Sequence, residues 1–212
     1  MTIGVLASQS AAELTTLVTL LFSLGLSVAI SVRYARRRNS SMMFWSIGLW
    51  LFTFGALLEL MFAVDVYSEG LAKLYLLVVA VLVEFLALGS IQFSRSVRIR
   101  NWYYLFVILS TVFMAYSLLV TSVSNMVVNY VVAVSPPMLV IVASSLMTIP
   151  ASIILVVFAY KAYKARKDPR LLSIIAGVII VGIAGGLYIA QYPSFLYIAE
   201  VAGILLLWYG FF

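Results

Sequence analysis

Seven runs of about twenty apolar residues, at roughly 12–32, 42–63, 71–93, 102–121, 137–160, 171–190 and 195–212, dominate this sequence. An α-helix rises about 1.5 Å per residue, so about 20 apolar residues match the ~30 Å hydrocarbon core of a bilayer. A chain of 212 residues of which 65% are hydrophobic and 9% charged cannot hide so many apolar side chains inside a water-soluble globule. The bilayer is therefore part of its solvent, and the runs predict an all-α membrane protein with one seven-helix transmembrane domain over 1–212. The first eleven residues hold no basic cluster and lead into a full-length run, which reads as an uncleaved anchor and not a signal peptide.

The basic residues give that bundle an orientation. Arg33, Arg36, Arg37 and Arg38 occupy the first connection, Arg95, Arg98 and Arg100 the third, and Lys161, Lys164, Arg166, Lys167 and Arg170 the fifth. Twelve of the 13 Lys and Arg residues thus fall on one side, and only Lys73 falls on the other. Basic connections stay in the cytoplasm, which predicts an N-terminus outside and a C-terminus inside a cell membrane. The formal net charge of +6 reports this topology and not a nucleic-acid surface. Cysteine and histidine are both absent, which removes disulfides, thiolate and imidazole metal ligands, ordinary haem ligation and the common nucleophilic triads. A non-enzymatic protein without a cofactor is the expectation.

The chain also resembles itself. An offset of 129 residues lays Thr15–Gly48 over Ser144–Gly177 without a gap, matching Thr19 with Thr148, Ser23 with Ser152, Tyr34 with Tyr163, Arg37 with Arg166 and Gly48 with Gly177. Arg38-Asn39 falls on Lys167-Asp168, and after a register shift Leu74-Tyr75 falls on Leu196-Tyr197. Two three-helix units of like orientation, about 12–93 and 137–212, joined by an inverting linker helix at about 102–121, give a 3+1+3 plan. That plan resembles the microbial rhodopsins and their sugar-transporter-like relatives. The Arg-rich first connection, followed by Phe44-Trp45-Ser46-Ile47-Gly48-Leu49-Trp50-Leu51-Phe52 and Gly55-Ala56-Leu57-Leu58-Glu59, is similar to an uncharacterised group of prokaryotic seven-helix membrane proteins. It is similar too to the seven-helix sensory regions in front of some histidine kinases. The rhodopsin resemblance implies a bundle but not a pigment, because a retinal Schiff base needs a lysine on the seventh helix and Ser194–Phe212 holds none.

Three glutamates lie within the runs: Glu59, Glu84 and Glu200. An ionisable group at membrane depth costs at least ~2.5 kcal/mol on insertion scales, so each should face protein or a wet cavity. Helical phase agrees, since Glu59 follows Gly48 and Gly55 on one stripe, Glu200 shares a stripe with Gly203 and Gly210, and Glu84 shares one with Lys73, Ala80 and Ala87. At ~1.5 Å per residue, Glu59 and Glu200 sit roughly 7 Å below the outer edge and Glu84 about 12 Å deeper. The expectation is an outward-opening polar pocket lined by Glu59, Lys73 and Glu200 above Glu84, with Tyr188, the repeat's counterpart of Glu59, adding a hydroxyl. The competing reading makes the same residues architectural, as neutral hydrogen-bond donors or as a clamp on Lys73.

Other features have plain structural roles. Gly182-x-x-x-Gly186, with Gly185, is a close-packing surface that also suits a dimer face or a mobile joint. Pro150 removes a hydrogen bond inside the fifth helix and predicts a kink there, static or a gate. Segment 122–136, with its Val/Tyr/Asn alternation before Pro136-Pro137, reads either as an extended hairpin or as a lengthened fourth helix. Three functions fit: a sensor-like or accessory module, a small-solute or proton-coupled transporter built on the glutamates, and a structural subunit of a membrane complex. Ending at Phe212 without an output domain, a sensor of this form is expected to act through a separate partner at the basic loops. Beyond the lipid bilayer, the expected partners are such a membrane or cytoplasmic protein and further copies of the chain, with no nucleic acid.

Overall fold

In lipid a helix satisfies every backbone group within its own segment. A computed structural model of the chain describes residues 9–123, 127–128, 131–132, 136–189 and 193–211, without side chains at 9–12, 127–128, 131–132, 181–189 and 193–197. Each apolar run is a helix: α1 (Gln9–Arg37), α2 (Ser40–Ala63), α3 (Glu69–Ile91), α4 (Val97–Val120), α5 (Met138–Arg166), α6 (Arg170–Ile189) and α7 (Pro193–Phe211). The first five are long and apolar enough to cross a membrane, which marks a helical membrane protein. α6 and α7 are 20 and 19 residues long.

Several helices run past the apolar stretch that encodes them, because polar side chains at their ends snorkel while the backbone ladder continues. α1 carries Arg36 and Arg37 in its last turn and stops only at Arg38, whose φ of 47° is left-handed. Arg38 N there donates to Tyr34 O at 2.7 Å, and Asn39 accepts from Ser41 N at 2.9 Å to start α2. The connection from α5 to α6 has the same construction. Lys167 is left-handed at φ 56° and donates its N–H to Tyr163 O at 2.7 Å, while Asp168 Oδ1 accepts from Arg170 N at 3.0 Å. All of these positions are related by the 129-residue offset. Gly48 and Gly177 are related by it too: a Cβ on Gly48 would lie 3.2 Å from Leu82 O of α3, and one on Gly177 would lie 3.1 Å from Gly203 O of α7.

Packing closes a ring in the order α1, α2, α3, α5, α6, α7, with α4 outside it against α3 and α5. Two apolar clusters fill the interior. One, around Leu26, Trp45, Leu86 and Leu207, lies toward the arginine-rich connections. The other, around Phe62, Tyr75, Met114 and Met147, lies toward the opposite end. Within segment 122–136 the described residues include two short strands: β1 (Val127–Val128) pairs antiparallel with β2 (Val131–Val132), Val127 opposite Val132. Tyr67 Oη donates to Val123 O at 3.2 Å and Val123 N donates to Glu69 Oε1 at 3.0 Å, which ties this segment to the start of α3. α5 continues through Pro150 as one helix. Gly182, Gly185 and Gly186 belong to α6, but their surroundings lie outside the described residues.

Candidate functional site: a buried carboxyl pair

The stripe of small residues on α2 turns toward α3. A Cβ on Gly48 would meet Leu86, and one on Gly55 would stand 3.8 Å from Val79. Glu59, one turn beyond Gly55, continues that face and is 3% exposed. Its Oε1 accepts a hydrogen bond from the Tyr75 hydroxyl of α3. Glu200 arrives from α7, 8% exposed, with its carboxyl within hydrogen-bonding reach of that of Glu59. Apart from one another, Glu59 Oε2 and Glu200 Oε2 have no hydrogen-bond partner among the described residues. Beside them, between α2, α3 and α7, lies a cavity of about 60 Å³ whose walls include Gly55, Ala56, Val79 and Leu82.

No basic side chain joins the pair among the described residues. Lys73 instead forms an ion pair with Glu69 at 3.0 Å, four residues away in the first turn of α3, where their side chains are 28% and 43% exposed. Lys73 finds its partner there because an i,i+4 carboxylate in water competes better than one inside the bundle. Two carboxyl groups in contact away from water repel when both are ionised, and a proton between them turns the repulsion into a hydrogen bond. The arrangement suits taking up and releasing a proton, or another small positive charge.

Glu84 is fully buried but faces away from this cavity. It points across α3 to α4, where Ser110 Oγ lies 2.5 Å from Oε1 and Thr111 Oγ1 donates to Oε2 at 3.1 Å. Ser110 Oγ also stands 2.8 Å from Phe106 O. A hydroxyl has one proton, so when Ser110 gives it to Phe106 O, the Glu84 carboxyl is the donor to Ser110. That sequence of donors satisfies all the groups for a neutral Glu84. One further hydroxyl on the same helix, Tyr103 Oη, is buried and has no hydrogen-bond partner among the described residues. The three glutamates therefore make two sites, one on each side of α3. Tyr188 lies in α6, and its side chain is outside the described residues.

Tyr75, Ser110 and Thr111 are functional candidates that reading the sequence misses. The available signal was an adjacent Ser-Thr pair in the middle of an apolar helix, which costs free energy unless something bonds to it. Groups of three or more acidic, histidine or cysteine side chains able to hold a metal are absent among the described residues. Comparison of the chain with protein-family models, with curated proteins and with solved structures finds no match, so the chemistry of these side chains carries the functional reading.

Proposed function

We propose that the chain is a non-enzymatic, seven-helix integral membrane module of the cell membrane, which responds to protons through Glu59 and Glu200 and passes that state to a partner. The observation that carries this reading is the burial of two intramembrane carboxyls, from helices distant in sequence, at one cavity, with no basic side chain beside them among the described residues. Ionisable groups inside a membrane are costly, and two in contact more so. A pair that joins α2 to α7 makes the packing of these helices depend on whether a proton is present. The N-terminus lies outside and the C-terminus in the cytoplasm, as the split of basic residues requires. The partner docks on the Arg- and Lys-rich connections. The 3+1+3 plan with an internal repeat is supported by the matched turns at Arg38 and Lys167 and the matched helix contacts of Gly48 and Gly177. Its likeness to the rhodopsin plan concerns the arrangement alone.

The test uses α7 as its own reporter. Trp208 Nε1 donates to Phe22 O of α1 at 2.9 Å, and Trp45 of α2 packs edge-on against Phe211 with ring centroids 4.8 Å apart. Tryptophan fluorescence and melting temperature should change with pH in the wild type, with stability falling as pH rises and the shared proton leaves. Both responses should flatten in Glu59→Gln and Glu200→Gln. Wild-type and variant curves that coincide across pH would overturn the reading. A second reading, a proton-coupled transporter, draws on the cavity between α2, α3 and α7. It requires proteoliposomes to dissipate a pH gradient in a manner abolished by the same substitutions.

A further inference from the structure

We infer that the outer face of α4, at its arginine-rich end, binds an anionic phospholipid, with the phosphate at Arg98 and an acyl chain along Leu105. The packing of the bundle leaves this face without a protein neighbour. α4 stands outside the six-helix ring, and the side chains it buries, among them Tyr103, Val107, Ser110 and Met114, form the stripe that meets α3 and α5. On the opposite side of the helix, Arg98, Asn101, Trp102 and Leu105 line a groove of about 410 Å³, a volume within the ~300–1,000 Å³ of ligand sites. All four side chains are exposed, and their spacing sets them on one face. Ile108 and Val112, each more than half exposed, continue that face toward the middle of the helix.

The face is graded from charged to apolar, as a phospholipid is. A guanidinium offers a planar fork of donors that fits a phosphate, an indole one turn farther on belongs at headgroup level, and only apolar side chains follow. From Leu105 to Val112 the stripe runs about 10 Å along the helix, most of the ~15 Å of hydrocarbon in one leaflet. Charge selects the headgroup. Residues 92–101 hold three arginines and no acidic residue, and of the seven acidic residues in the chain only Asp168 lies in an arginine- or lysine-rich connection. Arg98 has no ion pair among the described residues. A lipid with a net negative charge supplies the missing counter-charge, whereas a zwitterionic one brings a cation along with its phosphate. A second copy of the chain fits this face less well. Helices that pair in a membrane approach through Gly, Ala, Ser and Thr, and here Trp102, Leu105, Ile108 and Val112 stand in their place.

The full-length protein is reconstituted in vesicles of phosphatidylcholine and phosphatidylglycerol in equal parts, with bromines on the acyl chains of one lipid or of the other. Bromine quenches a tryptophan that it touches, and subtracting the signal of the matching Trp102→Phe protein isolates Trp102 from Trp45, Trp50 and Trp208. Quenching of Trp102 should report a relative affinity about fivefold in favour of the anionic lipid, the effect of one basic residue at a membrane surface. Arg98→Gln should bring that ratio close to one, and Arg36→Gln, at the exposed end of α1, should leave it unchanged. Both arginines are exposed, so neither substitution disturbs the core. Equal quenching of wild-type Trp102 by the two brominated lipids would overturn the site. So would a preference that survives Arg98→Gln, or one that Arg36→Gln lowers as much, since either would assign it to the diffuse charge of the whole basic end. Quenching by neither lipid would show that a second copy or another protein covers the groove, and the lipid would again be ruled out.

Discussion

At the scale of single residues, Glu84 offers the cleanest separation of structure from charge. Its carboxyl bridges Ser110 and Thr111 with full burial, and a neutral side chain satisfies both. Glutamine keeps the geometry, one amide hydrogen replacing the acid proton toward Ser110 and the amide oxygen accepting from Thr111. Glu84→Gln should therefore change stability by no more than about 1 kcal/mol, whereas Glu84→Leu strands polar groups and should cost about 1–3 kcal/mol. Denaturation of both variants beside the wild type checks this; a glutamine variant as damaged as the leucine one would mean that Glu84 is held as a carboxylate. The inward placement of the three glutamates was legible in the sequence because the 3.6-residue period and the accompanying glycines fix which way a side chain turns. Their partners were not. Lys73 and Glu84 share a stripe, yet eleven residues separate them along the axis by about 16 Å. That distance keeps them apart, and Lys73 finds Glu69 one turn away.

At the scale of elements, hydropathy located all seven helices, and local chemistry set their ends. The apolar runs stop at the first arginine or lysine, but hydrogen bonding carries α1 on to Arg37 and α5 on to Arg166, and a left-handed residue ends each helix. What one sequence does not encode openly is how far one helix slides along another, and this register decides that Glu59 meets Tyr75 and Glu200. Glycines help to fix it. A Cβ at Gly48 would sit 2.7 Å from Leu86 Cδ2 and 3.2 Å from the backbone carbonyl of Leu82, so α2 and α3 must part to accept it. Gly48→Ala should cost about 1–3 kcal/mol by overpacking. At Gly55 the nearest atom is 3.8 Å away, an ordinary contact, and Gly55→Ala should be neutral or stabilising by up to about 1 kcal/mol through helix propensity. Melting curves that ranked the two substitutions in the opposite order would show that the α2–α3 contact is not set by Gly48.

For the molecule as a whole, the ring of six helices and the outlying α4 put the carboxyl pair toward one end of the bundle. The arginine- and lysine-rich connections gather at the other. Such a division lets the pair face one aqueous phase while a partner docks in the other, and its physiological sense depends on which end is outside. Twelve of 13 basic residues on one side predict that the pair lies toward the exterior and the proposed docking face in the cytoplasm. Because the chain has no cysteine, single introduced thiols report without background. Val66, between α2 and α3, is 46% exposed, and Phe93, between α3 and α4, is 65% exposed, so a cysteine at either site should disturb little. In intact cells a membrane-impermeant maleimide should label Val66→Cys and leave Phe93→Cys unreacted until the membrane is opened. The reverse pattern would invert the bundle, turning the carboxyl pair toward the cytoplasm and the basic face outward. Labelling of both variants in intact cells at equal rates would show two orientations coexisting, and a single direction of signalling through the module would then have to be abandoned.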